Sequence, residues 1–260
     1  MAVMRTRIAR TLVAAVCAVA LASPPSPALA GEDAWRPKIG QAINFAKGRA
    51  GSVRIAVVDE LGRFYGWHQR NTTPMASVLK VMLMTAYLRL PSVRDRGLRQ
   101  KDRDLLEPMI RWSDNATASR VRDIVGGSRL NALADRAGMR DFSFHYSPWG
   151  LSRTSARDQA RFMFRLERWI PNRHEAYARQ LLRTIVRSQR WGIPPEVPDG
   201  WRIFFKGGWG SGTGWVTHQV AFLKNGDRRI AIAILVRDSP NHTYGTRTIR
   251  GVARRLLKGL

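Results

Sequence analysis

The stretch from Pro74 to Leu90 reads PMASVLKVMLMTAYLRL, and the interpretation of the whole chain starts from it. From Ser77 onward it combines apolar residues with good helix formers, and Pro91 ends the pattern, so a helix is predicted over Ser77 to Leu90. Positions i and i+3 share one helix face, so the Ser77 hydroxyl and the Lys80 amine point into the same space. A neutral or partly desolvated Lys80 could take the Ser77 proton and make the hydroxyl a nucleophile.

The position of Ser77 at a helix N-terminus also favours negative charge that develops nearby, through the helix dipole and the free N–H groups. A Ser-x-x-Lys pair nevertheless arises by chance on the order of once in a chain of this length. Taken alone, the motif is therefore also compatible with an N-cap serine followed by a surface lysine.

The segments on either side predict an α+β fold. Strands are separated by a long helical block, which favours a five-stranded antiparallel sheet, flanked by an N-terminal and a C-terminal helix, plus an all-helical lobe. We expect a single domain over residues 31–260, with a sheet lobe at 31–76 and 195–260 and a helical lobe at 77–194. The predicted strands are 52–59, 63–68, 201–205, 215–223 and 229–236, and the predicted flanking helices lie in 34–49 and 246–258.

Ser113-Asp114-Asn115 occupies a break between helical segments. These residue types favour helix N-caps, which is the structural interpretation. In a functional interpretation, the Ser113 hydroxyl relays a proton to a leaving group. The Asn115 amide could donate to a substrate carbonyl and accept from Lys80.

Lys206-Gly207-Gly208 follows the predicted strand 201–205 and opens a Gly-rich stretch that runs to Gly214. Glycines at a strand edge let a substrate backbone approach closely, and Lys206 could hold an anionic substrate group. The alternative is a strand end that leads into a flexible loop.

Together the three motifs resemble those of the penicillin-recognising serine hydrolases, that is, the class A β-lactamases and the penicillin-binding DD-peptidases. Their signature is Ser-x-x-Lys, Ser-Asp-Asn and Lys-Thr-Gly, and the order along this chain is the same. The residues ahead of Ser77 (74–76) and of Ser113 (109–112) also look like the family. The resemblance covers about residues 35–259 and implies an active-serine enzyme that uses neither metal nor cofactor.

The resemblance also implies roles for individual residues. Ser77 would be the acylated nucleophile, Lys80 its general base or proton relay, and Ser113 the proton donor to the leaving nitrogen. Asn115 would bind the substrate amide, and Lys206 would anchor Ser113 and the substrate carboxylate.

The oxyanion hole of this family would be formed here by the backbone N–H groups of Ser77 and Trp209. Gly208 and Gly207 would line the substrate site beside it. Position 207 departs from the family, which has Thr or Ser there, so a hydroxyl donor to the substrate carboxylate is missing. Either Ser211 or Thr213 could replace it.

Two further departures concern spacing and acidity. Ser77 and Ser113 are 36 positions apart, which is close for this family and places a trimmed connection between Leu90 and Asp102. A class A β-lactamase needs a Glu on a loop after Ser-Asp-Asn to activate the deacylating water. The corresponding stretch here, FSFHYSPWGLSRTS at 142–155, contains no Asp or Glu, and only His145 and Tyr146 in it could transfer protons.

Residues 1–30 predict a secretory signal peptide. Three arginines precede an apolar run over 11–21 that is too short to span a bilayer, and a Pro-rich stretch ends in the small-x-small site Ala28-Leu29-Ala30. We expect cleavage near Ala30 and an exported protein, secreted or in the cell envelope. The alternative is an uncleaved anchor, and membrane contact is expected only in that case. The single cysteine, Cys17, would leave with the leader.

Composition limits the remaining classes. Lys and Arg number 44 and Asp and Glu 19, for a formal net charge of +25, which falls to +22 without the leader. Because 44% of residues are hydrophobic, the chain is not a disordered basic tail. The arginines are spread along the chain rather than gathered in one motif, so we expect no specific nucleic-acid binding. The charge fits contact with anionic cell-wall polymers or lipid head groups better.

We therefore expect a monomeric, exported serine hydrolase that is acylated at Ser77 by β-lactams or by D-Ala-D-Ala-type peptidoglycan peptides. Because the deacylating Glu is missing, we expect slow turnover of β-lactams. The alternative hypothesis is a non-catalytic module on the same fold that binds cell wall or polyanions, which the missing acid and Gly207 would suit.

Overall fold

A computed structural model describes residues 34–211 and 215–260, and the predicted leader at 1–30 lies outside the described residues. Ala34–Leu260 forms one compact unit. The strands are β1 (Ser52–Val58), β2 (Phe64–Trp67), β3 (Thr73–Pro74), β4 (Arg153–Thr154), β5 (Arg202–Gly210), β6 (Val216–Asn225) and β7 (Arg228–Arg237). The helices are α1 (Ile39–Lys47), α2 (Leu79–Leu88), α3 (Pro91–Arg94), α4 (Gln100–Glu107), α5 (Asn115–Val125), α6 (Gly127–Ala137), α7 (Ala156–Phe164), α8 (Leu166–Trp169), α9 (Asn172–Arg183) and α10 (His242–Leu256).

The predicted α+β fold is confirmed. Five strands form one antiparallel sheet in the order β2-β1-β7-β6-β5, and the short strands β3 and β4 pair separately. Helices α1 and α10 pack together on one face of the sheet, and α7 covers the other face in front of the helical block. No helix in the described part of the chain is long and apolar enough to cross a membrane.

Strand β7 shows why this sheet is covered on both faces. Successive side chains of a strand point to opposite faces, and β7 is apolar in both registers. Its isoleucines pack on the side of α1 and α10, whereas its alanines pack on the side of α7, where small side chains let that helix approach. The first set is Ile230, Ile232 and Ile234, and the second includes Ala231 and Ala233.

Several predicted boundaries differ from the structure, including that of the C-terminal helix, which begins at His242 rather than at 246. The strand predicted at 201–205 is longer than expected. It corresponds to β5, which continues through the Lys-Gly-Gly motif to Gly210 and is paired with β6 over its whole length. The helix after Met75 begins as a single 3₁₀ turn at Ala76–Val78, and α2 ends at Leu88. Pro91 then starts α3, because its missing N–H is not needed in a first helical turn.

The buried carboxylate of Asp102 holds the connection between Leu90 and Asp102 in place. Asp102 accepts hydrogen bonds from the Arg99 amide (2.7 Å), the Tyr87 hydroxyl (2.8 Å) and the Arg96 guanidinium (2.6 Å). Burial alone would raise the pKa of Asp102, but these bonds outweigh it and lower the pKa to about 2. This short segment is therefore held as an ordered cap on the C-terminal end of α2.

Candidate active site

The turn that carries Ser77 is held from both sides. Strand β3 pairs with β4, and the Met75 amide donates to the Ser152 carbonyl at 2.7 Å. Ala76 has a positive φ of 44°, a left-handed conformation that a residue with a Cβ adopts only when its surroundings impose it. Ser77 follows in the 3₁₀ turn and is 9% exposed.

Strand β5 passes directly beside this turn at Gly208. A Cβ on Gly208 would lie 2.8 Å from the Val78 amide nitrogen and 2.9 Å from the Ser77 amide nitrogen. Only a glycine fits at this distance, because real Cβ atoms do not approach a backbone nitrogen so closely. This packing brings the backbone of β5 next to the Ser77 amide, where the oxyanion hole is predicted.

Ser113 is placed by an interrupted helix. Pro108 cannot donate a backbone hydrogen bond, and the chain after α4 continues as one π-helical turn, Pro108–Trp112. Ser113 then adopts a left-handed conformation with φ of 62°, and Asp114 caps α5 by accepting from the Thr117 amide at 2.7 Å. The N-cap interpretation of this motif is thus correct for Asp114, while its neighbours Ser113 and Asn115 turn toward a different partner.

That partner is a pair of buried lysines. Lys80 donates to the Ser113 carbonyl, to Ser113 Oγ at 3.1 Å and to Asn115 Oδ1 at 2.8 Å. Lys206 donates to the same Ser113 Oγ at 3.0 Å and to the Gly207 carbonyl at 2.9 Å. The surface-lysine interpretation of Lys80 is wrong, since both lysine side chains are fully buried.

The electrostatics of the pair favour loss of a proton. Burial lowers the pKa of Lys80 to about 7, although the nearby Asp114 carboxylate opposes the shift. Burial and the closeness of Lys80 hold the pKa of Lys206 well below its ordinary value. Neither lysine forms an ion pair with any residue in the described ranges. The cluster can therefore supply both an uncharged amine as base and a positive site for an anion.

The structure gives a reason for glycine at position 207. A Cβ there would meet the Trp191 ring at 3.0 Å, so this ring occupies the space that a Thr or Ser side chain would need. Gln219, which pairs with Gly207 across the sheet, donates to the Trp191 carbonyl (2.6 Å) and accepts from the Ile193 amide (2.6 Å). Gln219 thus holds the indole over Gly207.

Aromatic side chains continue around the end of β5. The Trp209 ring lies 5.9 Å from the Trp191 ring, edge to face, and 5.4 Å from the His242 ring. Trp209 is 36% exposed and, with Ser211 and Trp215, borders a cavity of about 130 Å³. Of the two predicted substitutes for the missing hydroxyl, Ser211 lies at this cavity and Thr213 lies outside the described residues.

The stretch 142–155 presents an aromatic ring to the lysine cluster. The Trp149 ring centre is 5.1 Å from Lys80 Nζ, and its indole N–H donates to Ser119 Oγ at 3.1 Å. The Tyr146 hydroxyl donates to Asp123 at 2.6 Å, and His145 Nδ1 lies 3.2 Å from the Pro148 carbonyl. Both predicted proton-transfer groups are thus engaged away from the lysine cluster.

His218 links the central sheet to the Ser77 turn. It lies opposite Gly208 in the sheet, and its Nε2 is 2.9 Å from the Pro74 carbonyl, so it donates there as a neutral imidazole. Burial lowers the pKa of His218 to about 4, which keeps the ring uncharged at neutral pH.

The predicted residues therefore fall into one site. Hydrogen bonds join Lys80, Ser113, Asn115 and Lys206, and close backbone packing joins Gly208 to Ser77. Their individual roles stay predictions. Sequence reasoning missed the residues that support and wall the site, namely Trp149, Trp191, His218 and Gln219. The only signal for one of them was the missing side chain at 207, which leaves room for a bulky neighbour.

Several solved structures of known proteins share this fold. A β-lactamase from Sphaerobacter thermophilus has a TM-score of 0.73 at 21% identity, covering 85% of this chain and 96% of that one. An ancestral class A β-lactamase (GNCA) gives 0.74 at 18% identity, covering 86% and 100%. PBP-A gives 0.71 at 18% identity, covering 85% and 94%. These likenesses show that the chain has the fold of class A β-lactamases and of PBP-A.

The family assignment rests on the sequence match. The model of the β-lactamase enzyme family matches residues 92–260, and the chain belongs to this family. The match includes Ser113 and Lys206 and begins after Lys80. No curated protein sequence matches the chain significantly.

Proposed function

We propose that this protein is an exported penicillin-binding serine hydrolase that is acylated at Ser77 and turns β-lactams over slowly. The observation that carries the proposal is the hydrogen-bonded cluster of Lys80, Ser113 and Lys206 beside the Ser77 turn. Export is supported by the leader-like sequence at 1–30.

In the proposed acylation step, Lys80 in its uncharged form takes the Ser77 proton while Ser77 Oγ attacks the substrate carbonyl carbon. Backbone N–H groups at Ser77 and Trp209 stabilise the oxyanion. Collapse of the tetrahedral intermediate breaks the carbon–nitrogen bond, and the Ser113 hydroxyl protonates the leaving nitrogen. Lys80, which is hydrogen-bonded to Ser113, then gives the proton that it took from Ser77 to Ser113. The Ser77 proton thereby replaces the one given to the leaving nitrogen, and acylation needs no external acid.

The proposed substrate class is a β-lactam or a peptidoglycan-type peptide with a carboxylate. The support is the buried Lys206 amine, which has no carboxylate partner among the described residues, so that an anionic group entering beside it would stabilise its protonated form. Because the Trp191 ring stands at Gly207, the carboxylate would be bound by Lys206 without help from a hydroxyl at that position.

Slow deacylation is supported by the surroundings of Lys80. Hydrolysis of the acyl-enzyme requires a base that activates water, and the stretch 142–155 brings the Trp149 ring to Lys80 instead of a carboxylate. An indole N–H is a hydrogen-bond donor only, so it cannot take a proton from water, and here it donates to Ser119 Oγ. The ester at Ser77 is therefore expected to persist.

Intact-mass measurement tests the proposal. Protein lacking residues 1–30 is incubated with a labelled penicillin, and the adduct is followed over hours. We expect a stable adduct located on Ser77 and its absence in Ser77→Ala. Rapid hydrolysis of a chromogenic cephalosporin that is lost in Ser77→Ala would refute slow turnover. Absence of any adduct would refute acylation and favour the non-catalytic binding module.

A further inference from the structure

A second cleft lies at the far end of the helix that follows Ser77. Helix α2 extends for 10 residues, or about 15 Å, from the Ser77 turn to a cavity of about 420 Å³ near its C-terminus. Four arginines line this cavity. Arg89 directly follows α2, Arg94 lies in α3, and Arg129 and Arg136 lie in α6.

The positive charge of the cleft is largely uncompensated. No acidic side chain is among the described residues that line it. Arg89 donates to the Trp169 carbonyl (2.9 Å) and Arg129 to the Val125 carbonyl (3.1 Å), so neither meets a carboxylate. Arg94 pairs with Asp95 at the exposed rim, and the Arg136 guanidinium forms no hydrogen bond or ion pair with the described part of the chain.

Elsewhere the arginines of this protein often meet acids. Arg96 pairs with Asp102 at 2.6 Å, and Arg254 pairs with Glu196 at 3.0 Å. In the cleft the pKa of Arg89 is instead lowered by burial and by the like charges of Arg136 and Arg94. The free energy of this arrangement would fall if an anion entered between the guanidinium groups.

The shape of the cleft restricts the kind of anion. Planar guanidinium groups bind phosphate through paired N–H···O bonds, and a phosphate group has enough oxygens to meet several of them at once. A single carboxylate has only two oxygens. Apolar walls from Ala86, Leu133 and Pro171 leave room for a ligand larger than a bare ion.

We propose that this arginine-lined cleft binds a phosphate-bearing ligand, with one or two phosphate groups between the guanidinium groups and an organic moiety against the apolar wall. The ligand is either a soluble phosphate ester or the head group of an anionic phospholipid. The site is separate from Ser77, and its ligand is not the substrate of the serine site.

Calorimetric titration with inorganic pyrophosphate at 150 mM NaCl tests the proposal on the protein lacking residues 1–30. The double variant Arg129→Gln/Arg136→Gln removes two cleft charges. The control Arg187→Gln/Arg247→Gln removes two exposed arginines that do not line the cleft. We expect saturable binding by the wild type, at least tenfold weaker binding by the cleft variant, and a change of less than twofold in the control.

Three results would overturn the proposal: no saturable binding to the wild type, equal weakening in both double variants, or citrate binding as tightly as pyrophosphate. Unchanged melting temperatures show that both variants fold. A sedimentation assay with phosphatidylglycerol vesicles then distinguishes the two ligand sources. Vesicle binding that is lost only in the cleft variant indicates a lipid head group, and pyrophosphate binding without vesicle binding indicates a soluble ester.

Discussion

The chemistry of the site depends on what burial does to single residues. Lys80 and Lys206 are fully buried side by side, and Ser113 Oγ accepts a hydrogen bond from each of them. Removing an ammonium group from water disfavours its charged form, so an ordinary lysine becomes a base near neutral pH. At positions 207 and 208 it is the absence of a side chain that matters. It leaves room for the Trp191 ring at Gly207 and for the Ser77 turn at Gly208.

Acylation at Ser77 should follow the ionisation of Lys80. Burial lowers the pKa of Lys80 to about 7, so the uncharged base predominates above pH 7 and is lost below it. We expect the rate of adduct formation with a fluorescent penicillin to rise about tenfold per unit below pH 7 and to level off above it. Lys80→Arg, which stays charged, should be slower by about 10²-fold or more. The exposed Lys258→Arg is the matched control, and a wild-type rate that is constant from pH 5 to 9 would contradict this assignment.

Gly208→Ala should damage the site by overpacking. The added Cβ would lie within 3.0 Å of the amide nitrogens of Ser77 and Val78, so the turn or the strand must move. We expect a loss of about 1–3 kcal/mol in the free energy of unfolding and at least a tenfold slower acylation. Chemical denaturation and adduct formation measure the two effects. Gly97→Ala, where the added Cβ meets open space, should leave both unchanged, and equal behaviour of the two variants would disprove the packing argument.

At the scale of elements, β6 organises the site without carrying a predicted catalytic group. His218 ties it to the segment that leads into Ser77, and Gln219 holds Trp191 over Gly207. Both side chains belong to a strand that is buried along most of its length, and each forms hydrogen bonds with backbone groups of a neighbouring segment. The relative placement of β5 and the Ser77 turn depends on these links.

His218 should make the protein sensitive to acid. Its pKa is about 4 in the folded chain and 6.5 in a model peptide, so between these pH values the unfolded state binds more protons. Stability from this group is therefore fully present above pH 6.5 and is lost as the pH falls to 4, with a limit of about 3 kcal/mol. In His218→Gln, which keeps a donor for the Pro74 carbonyl, urea unfolding should show a smaller loss over this range. The exposed His145→Gln should keep the wild-type dependence, and an identical slope in all three proteins would contradict the prediction.

At the scale of the whole molecule, two properties stand out: the shared sheet and the charge. Residues from both faces of one sheet enter two apolar cores, so the sheet joins the α1–α10 side to the helical block. The large positive net charge, +25 for the whole chain and +22 without the leader, acts against this compact state through self-repulsion. Surface ion pairs such as Arg228 with Glu60 contribute little by comparison.

Added salt should therefore stabilise the protein. Screening of repulsion between like charges outweighs the weakening of exposed ion pairs when one sign is in large excess. Between 20 and 300 mM NaCl we expect the melting temperature to rise by about 2–4 °C, which corresponds to about 1 kcal/mol. Potassium acetate at the same ionic strength is the control for ion-specific effects. A fall in melting temperature would show that the ion pairs dominate.

The sequence by itself determined the α+β class and the order of the five sheet strands around the helical block, and it indicated the candidate residues of the site, whereas the short pair β3 and β4 was not predicted. Apolar periodicity identifies β1, β6, β7 and the helical block because strands and helices repeat differently. The motifs around Ser77, Ser113 and Lys206 could also be recognised in the sequence, because each one consists of residues within three positions of one another along the chain.

Only the tertiary structure decided what surrounds those motifs. The burial of Lys80, the indole of Trp149 beside it, the ring of Trp191 over Gly207 and the contact of Gly208 with the Ser77 turn all join segments far apart in sequence. The pKa of a lysine depends on how much water and which charges remain around it, and no local pattern contains that information. The arginine cleft is of the same kind, since helices from separate stretches bring its charges together.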